Sequence, residues 1–382
     1  MTDAVIVAAA RTPIGRAHKG SLVDVDAFEL GKIAVREAID RSSIPTEDID
    51  DIVLAESLQG GGVIARYVAV DLGLPSIPGL ADNRHCAAGL SAIQIGAGSI
   101  RAGMDRVVVA GGTESLSSMV LGQKSIPASA QDPQMWMSPA NPPTPEAPPF
   151  DMALTVGENT ARIAGVTREE ADEWAYHSHI RAAHARDEGL FDAEIVPVGD
   201  FARDEHPRAN TTLEKLASLP VIHPEIEKAV VTAGNSAGLN DAAAAVVVTA
   251  DDYAAANGLA PLARIVSWAS VGIEPERTGL APTLAIPKAL DRAGMSIGDI
   301  ELFEINEAFC TMAVASTRAL GIDHDIVNVN GSGCGLGHPI AATGARMVVS
   351  MIHELRRREQ TMGCVAMCAG GGMGSAMVLE LL

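Results

Sequence analysis

Short apolar runs alternate with stretches of helical periodicity at both ends of this 382-residue chain. Few folds other than layered α/β structures accept that rhythm. AVIVAAA (4–10), DIVLA (51–55) and RVVVAGG (106–112) read as buried strands. Between Cys86 and Arg101, Leu90, Ile93, Ala97 and Ile100 recur at helical spacing, and Gly103 supplies a stop. The C-terminal part repeats the pattern. AAAAVVVTA (242–250), ELFEI (301–305), IVNVN (326–330) and segments near 363–368 and 375–380 are expected strands. LAIPKALDRAG (284–294), Glu307 to Leu320 closed by Gly321, and about Pro339 to Arg358 are expected helices. Two βαβ-rich halves packed together follow, which also suits a chain too long for one ordinary core.

The middle differs. Residues 125–150 are proline-rich, with NPPTPEAPP at 141–149, and read as a surface excursion. Thr167 and Glu170 fit a capping box opening a helix to about Glu188. His177 and His179 within it stand two apart and cannot share a helix face, so HSHIRAAH (177–184) reads as polar helix surface rather than a metal site. Arginines 162, 168, 181, 186, 203 and 208 are the region's candidates for meeting nucleotide phosphates.

Lys and Arg number 28 against 48 Asp and Glu, a net charge of −20. That balance argues against nucleic acid or an anionic membrane as partner, yet leaves room for a local basic patch around an anionic ligand. No apolar run is long enough to span a bilayer. MTDAVIVAAARTP lacks the pattern of a secretion signal, and MVLELL is neither a peroxisomal tripeptide nor a prenylation box. Five cysteines without framework spacing point to reduced thiols and a cytoplasmic location.

Four segments could carry chemistry. Cys86 stands at a strand-to-helix junction in ADNRHCAAGLSAIQ (81–94), where the helix dipole and free N–H groups would favour a thiolate; a buried small hydrophobe is the alternative. His338, in GHPIAATGAR, precedes a proline suited to a first helical turn and could move a proton there. Asn306 of NEAF could cap the next helix or orient a water. Cys368 opens CAGGGMG, whose glycine N–H groups can approach a ligand closely. Core thiols are the alternative for Cys364 and Cys368, and no second ligand pair accompanies them to make a zinc site.

In this order, C-A-A-G, GNSAG-NDAAA, NEAF, GHP and C-x-G, the chain resembles the thiolase family of acyl-CoA acyltransferases. The likeness runs from VIVAAARTPIGRAHKGSL (5–22) to CAGGGMGSAMVLE (368–380). It implies an α/β, thiolase-like five-layer α-β-α-β-α core of two βαβαβαββ halves with an inserted loop domain. The boundaries would be 1–114 and 232–250 for the N-terminal half, 115–231 for the insertion on the coenzyme A side, and 251–382 for the C-terminal half. The family's nucleophile falls on Cys86 and its acid/base on Cys368. His338 would activate Cys86 and, with a water held by Asn306, form one oxyanion hole; the backbone N–H groups of Cys86 and Gly370 would form the other.

The implied activity is ping-pong cleavage of 3-ketoacyl-CoA by coenzyme A, in β-oxidation or related lipid metabolism. Condensation of two acetyl-CoA is the alternative direction. Coenzyme A is a co-substrate, no cofactor is permanently bound, and a homodimer or homotetramer is expected. Departures fall near the acyl and pantetheine pocket. GSGCGL (331–336) puts Cys334 where the family has small apolar residues, and Ser236 is third rather than fourth in its motif, so its pantetheine contact carries over weakly. DMALTVGEN (151–159) keeps Glu-Asn without the common Met-Gly. A ketoacyl synthase would have one cysteine and usually two histidines or His-Asn, a non-catalytic acyl-CoA or lipid carrier would dispense with the site, and a plain nucleotide-binding protein would need a glycine motif that is absent.

Overall fold

The structure, a computed structural model, describes residues 2–124 and 134–382. Part of the proline-rich excursion, 125–133, lies outside them. The N-terminal elements are β1 (Ala4–Arg11), β2 (Gly15–Arg16), α1 (Ala27–Ser42), β3 (Asp51–Ala55), α2 (Ile64–Asp71), β4 (Gly79–Asp82), α3 (Ala88–Arg101) and β5 (Val107–Ser115). A long excursion carries β6 (Gly122–Lys124), β7 (Gln134–Trp136), α4 (Asn159–Ala164), α5 (Arg168–Asp187) and α6 (Leu213–Ala217). The chain then returns to β8 (Asn240–Ala250), α7 (Asp251–Ala256), β9 (Ala263–Gly272), α8 (Pro282–Ala293), β10 (Leu302–Ile305), α9 (Cys310–Leu320), α10 (Ile340–Arg358), β11 (Met362–Ala369) and β12 (Met373–Leu381).

The strand order is β10-β11-β12-β9-β1-β8-β5-β3-β4, with β2 beside β8. β3, β4 and β5 run parallel, while β8 lies antiparallel between β5 and β1. Only two residue pairs, Val5 with Arg264 and Ile6 with Ala263, join β1 to β9, so the two parts of the sheet fold over onto one another. Helices α3 and α10 fill the space between, α10 packing on β5 and β8 and also on β11. α1 and α2 cover the outside of the first part and α8 that of the second. This is the five-layer arrangement. All 11 residues of β8 are buried because helices cover both faces, which is why its sequence reads as an unbroken apolar run.

The layers approach closely where α3 meets α10. A Cβ on Gly89 would lie 2.4 Å from the Ala341 carbonyl oxygen, and one on Gly112 only 2.1 Å from the same atom. Only glycine permits that backbone contact. It sets the start of α3 beside the start of α10.

Three expectations need correction. IVNVN (326–330) is not a strand: only Val327 bridges to Phe303, and Asn328 has φ 49°. The Asn328 side chain takes the ladder's place, accepting from Ile305 N at 2.8 Å and donating to Ile305 O at 2.8 Å. Next, α5 is not a polar surface helix. Its capping box is present, but Trp174, Ser178 and His179 are buried. Finally, α9 begins at Cys310 rather than Glu307, leaving NEAF as a loop. The excursion is fastened to β1 by buried Arg11, whose guanidinium meets both Asp204 carboxylate oxygens at 2.8 Å and Glu194 at 2.5 Å.

Candidate active site

Cys86 follows a turn in which Asn83 Oδ1 accepts from His85 N at 2.9 Å and His85 adopts φ 47°. Arg84 braces the turn by donating to Ser91 and Ser270 hydroxyls, each at 2.7 Å. The helix starts at Ala88, so Cys86 stands ahead of the first turn rather than on it. Burial pushes its thiol up to about 11, although the N–H groups of Gly370 and of Cys86 itself favour the charged form; the Glu114 carboxylate adds to the rise. The expected resting thiolate is therefore not what this geometry gives. It gives a thiol at which two backbone N–H groups converge.

Cys368 is the penultimate residue of β11, buried, with Sγ 3.4 Å from Met312 Sδ. Burial, and then the proximity of Cys86, hold its thiol well above the usual range. Gly370 lies in the β11–β12 turn. Its missing side chain leaves space bounded by Met152, Ala140 and His85, with nearest atoms 3.6–3.9 Å from where a Cβ would be. Met152, Val156, Ala308, Phe309 and Met312 form an apolar wall beside Cys368.

His338 is held from several directions. Its N–H donates to Asn240 Oδ1 at 3.0 Å, and its Nδ1 lies 2.7 Å from the Thr343 hydroxyl. Burial, and secondarily the Arg346 charge, lower its pKa to about 3, so the ring is neutral. Asn306 Nδ2 lies 3.5 Å from both ring nitrogens, and Asn306 Oδ1 is buried without a partner among the described residues. Asn306 does not cap α9, whose N-terminal neighbour Phe309 makes no side-chain cap.

Cys86 thus meets the Gly370 N–H and lies near Cys368, His338 meets Asn306, and the close approach of Gly89 to Ala341 sets the helix starts that follow Cys86 and His338 side by side. Ser236 lies beside the apolar wall, bridged antiparallel to Phe309, with its hydroxyl donating to the Thr232 carbonyl at 2.6 Å. Most of the arginine candidates are already engaged. Arg168 pairs with Asp172, Arg181 donates to the Val327 carbonyl, and Arg186 and Arg203 meet Asp187. Arg162 and Arg208 remain exposed. Among the described residues no group of three or more His, Cys, Asp or Glu could hold a metal ion, and no helix is long and apolar enough to cross a membrane.

Sequence reading missed the supporting residues. Glu114, buried, accepts from Leu58 N (3.0 Å), Gln59 Nε2 (2.7 Å) and Ala341 N (3.1 Å), tying the start of α10 to a loop near Cys86. Glu307 accepts from Trp174, Ser178, Asn328 and the Cys334 N–H. Their one signal was a carboxylate inside an apolar strand or within NEAF. An open cleft of about 500 Å³ lies next to Cys86, lined by Glu56, Asn83, His85, Trp136, Met137 and Met373 among others.

A half-buried cysteine, a neutral histidine, a second thiol and paired N–H donors on a two-part α/β core are the groups that covalent group transfer uses. The profile for the thiolase N-terminal domain matches residues 4–252 and that for the C-terminal domain residues 259–381. The chain belongs to the thiolase family. It is 40% identical to acetyl-CoA acetyltransferase of Escherichia coli and 40% identical to 3-ketoacyl-CoA thiolase of Bacillus subtilis, covering 100% of both chains in each case. A solved structure of human mitochondrial 3-ketoacyl-CoA thiolase in complex with CoA superposes with TM-score 0.91 at 33% identity, over 100% of this chain and 98% of that one.

Proposed function

We propose that the protein cleaves 3-ketoacyl-CoA with coenzyme A, giving acetyl-CoA and a shortened acyl-CoA by ping-pong transfer on Cys86. The reading is supported by the meeting of Cys86 with the Gly370 N–H and Cys368, in a chain of the thiolase family whose His338 starts the neighbouring helix. In the first step, neutral His338 takes the Cys86 proton as the sulfur attacks the 3-keto carbonyl. The C2–C3 bond breaks, leaving acyl-Cys86 and an acetyl-CoA enolate that Cys368 protonates. Coenzyme A, losing its thiol proton to Cys368, then takes the acyl group and frees Cys86.

Because Cys86 begins as a thiol and His338 as a neutral imidazole, charge develops only as the reaction proceeds. Donors aimed at that charge therefore matter most: the Cys86 and Gly370 N–H groups at one oxygen, and His338 with an Asn306-held water at the other. The relatives named acetyl-CoA acetyltransferase favour a second reading, an acetoacetyl-CoA thiolase working in either direction. Thiolysis of 3-ketoacyl-CoAs from acetoacetyl-CoA to long and bulky chains separates the two. Cleavage of acetoacetyl-CoA alone supports the second reading, and binding without turnover of any would leave a carrier.

We assign the enzyme to the cytoplasm and to a homo-oligomer, with the halves and insertion divided at the boundaries given above. The apolar residues around edge strand β4 support the oligomer: Tyr67 is 54% exposed, Leu80 44% and Val120 51%. Light scattering tests it, and a clean monomer would count against it.

A further inference from the structure

Asn306 stands between two residues that are each held from outside its loop. Ahead of it, Ile305 exchanges two hydrogen bonds with the Asn328 side chain, both at 2.8 Å. After it, the buried Glu307 carboxylate accepts four donors. Trp174 Nε1 at 2.8 Å and Asn328 Nδ2 at 2.7 Å meet Oε1, while the Ser178 hydroxyl at 2.5 Å and the Cys334 N–H at 3.1 Å meet Oε2. A carboxylate offers about four such positions, so all are filled. Asn328 thereby holds both neighbours of Asn306 with one amide.

Two of the four donors, Trp174 and Ser178, come from α5 of the insertion. The Ser178 hydroxyl also accepts, from Gly335 N at 3.0 Å and Ser332 N at 3.3 Å. In the same loop a Cβ on Gly333 would lie 2.5 Å from Asn306 Oδ1. The Gly331–Gly337 backbone is thus clamped against the Asn306 amide by the bonded pair of Glu307 and Ser178.

We propose that Glu307, braced by α5, is a positioning residue that fixes the Asn306 amide for the carbon–carbon step, a role that rests on the one given to Asn306 above. The Cys86 N–H adjoins the carbon that its own sulfur attacks, so the Cys86 and Gly370 donors serve the attacked carbonyl. His338 and the Asn306-held water are left for the oxygen of the acetyl-CoA enolate. That charge exists only as the C2–C3 bond breaks. Moving an acyl group between Cys86 and coenzyme A forms no enolate. Displacing Asn306 therefore slows cleavage and spares transfer.

Two assays on the whole enzyme separate these steps. One is thiolysis of the 3-ketoacyl-CoA that the parent cleaves fastest. The other is exchange of radiolabelled coenzyme A into the acyl-CoA shorter by one acetyl unit. Glu307→Gln keeps the shape but sets an NH₂ group against donors that an oxygen accepted. Its thiolysis kcat should fall roughly 10²-fold while exchange changes less than about 3-fold. Trp174→Phe keeps most of the apolar bulk and removes one donor, so it should show the same pattern at roughly 10-fold. In an Asn306→Ala background, Glu307→Gln should add nothing, because it acts through the missing amide. Equal losses in the two assays, full thiolysis in either single variant, or losses that multiply in the double variant would overturn the proposal. A parent that cleaves no 3-ketoacyl-CoA would instead refute the thiolase reading, and with it the step that Glu307 serves.

Discussion

The Cα of Gly89 faces the carbonyl oxygen of Ala341 so closely that a methyl group between them would sit 2.4 Å from that oxygen. Gly89 is three residues after Cys86, and Ala341 three after His338. Their contact fixes the spacing of the helix starts that follow Cys86 and His338, the proposed nucleophile and base. Gly89→Ala should force α3 and α10 apart, costing about 1–3 kcal/mol by overpacking and roughly 10² in kcat through misplacement of the pair. Urea unfolding and thiolysis kinetics measure the two effects. Full activity in a stable variant would mean that this contact does not set the site.

Cys86 and Cys368 should fail differently. Cys86→Ala should take up no acyl group from an acyl-CoA, as seen in the intact protein mass, and should show no thiolysis. Cys368→Ala retains the nucleophile and both N–H donors, so it should still acquire one acyl group while turnover falls roughly 10²–10⁴-fold. An acylated Cys86→Ala enzyme would end the assignment of the nucleophile.

Alkylation reads the resting state of Cys86 directly. With its thiol pushed up to about 11, inactivation of the free enzyme by iodoacetamide should stay slow at neutral pH and rise steeply above about pH 9. The Glu114 carboxylate contributes to that rise, so Glu114→Gln should move the midpoint to lower pH. The same variant exchanges an acceptor for a donor in the set that holds Ala341 N, so kcat should fall as well. A wild-type midpoint near neutrality would show that a thiolate–imidazolium pair exists before substrate binds.

The layered core was legible because strands buried on both faces leave apolar runs and amphipathic helices leave periodic ones. β1, β3, β5 and β8 are continuous apolar runs, and Gly103, Gly294 and Gly321 do end their helices in the left-handed region. What escaped depends on partners distant in sequence. IVNVN alternates as a strand should, yet Asn328 side-chain bonds to Ile305 replace the ladder. α5 looked solvated because Trp174 and Ser178 find their partner, Glu307, about 130 residues away. The state of Cys86 escaped for a similar reason. A helix start is visible in sequence, but the desolvation that outweighs it arises only in the folded molecule.

Two buried histidines should make the protein sensitive to acid well above its isoelectric range. Burial lowers His338 to about 3, helped by Arg346, and lowers His206 to about 3, helped by His179 and nearby arginines. The unfolded chain protonates both near their ordinary value of 6.5. Above that pH neither state is charged, and the native state bears no penalty. As pH falls from 6.5 toward 3, the unfolded chain takes up protons that the native state refuses, and stability declines. Each histidine should cost about 2 kcal/mol at pH 5, at about 1.4 kcal/mol per pKa unit. Asp82, pushed up to about 7 by burial, acts in the opposite direction, so the parent alone does not isolate the effect. His206→Gln does, because it removes one titrating ring outside the catalytic group and keeps a donor for the Cys334 carbonyl at 3.1 Å. Between about pH 7.5 and pH 5, the variant should lose about 2 kcal/mol less unfolding free energy in urea than the parent. Parallel losses in the two proteins would show that His206 protonates as readily in the folded chain as in the unfolded one.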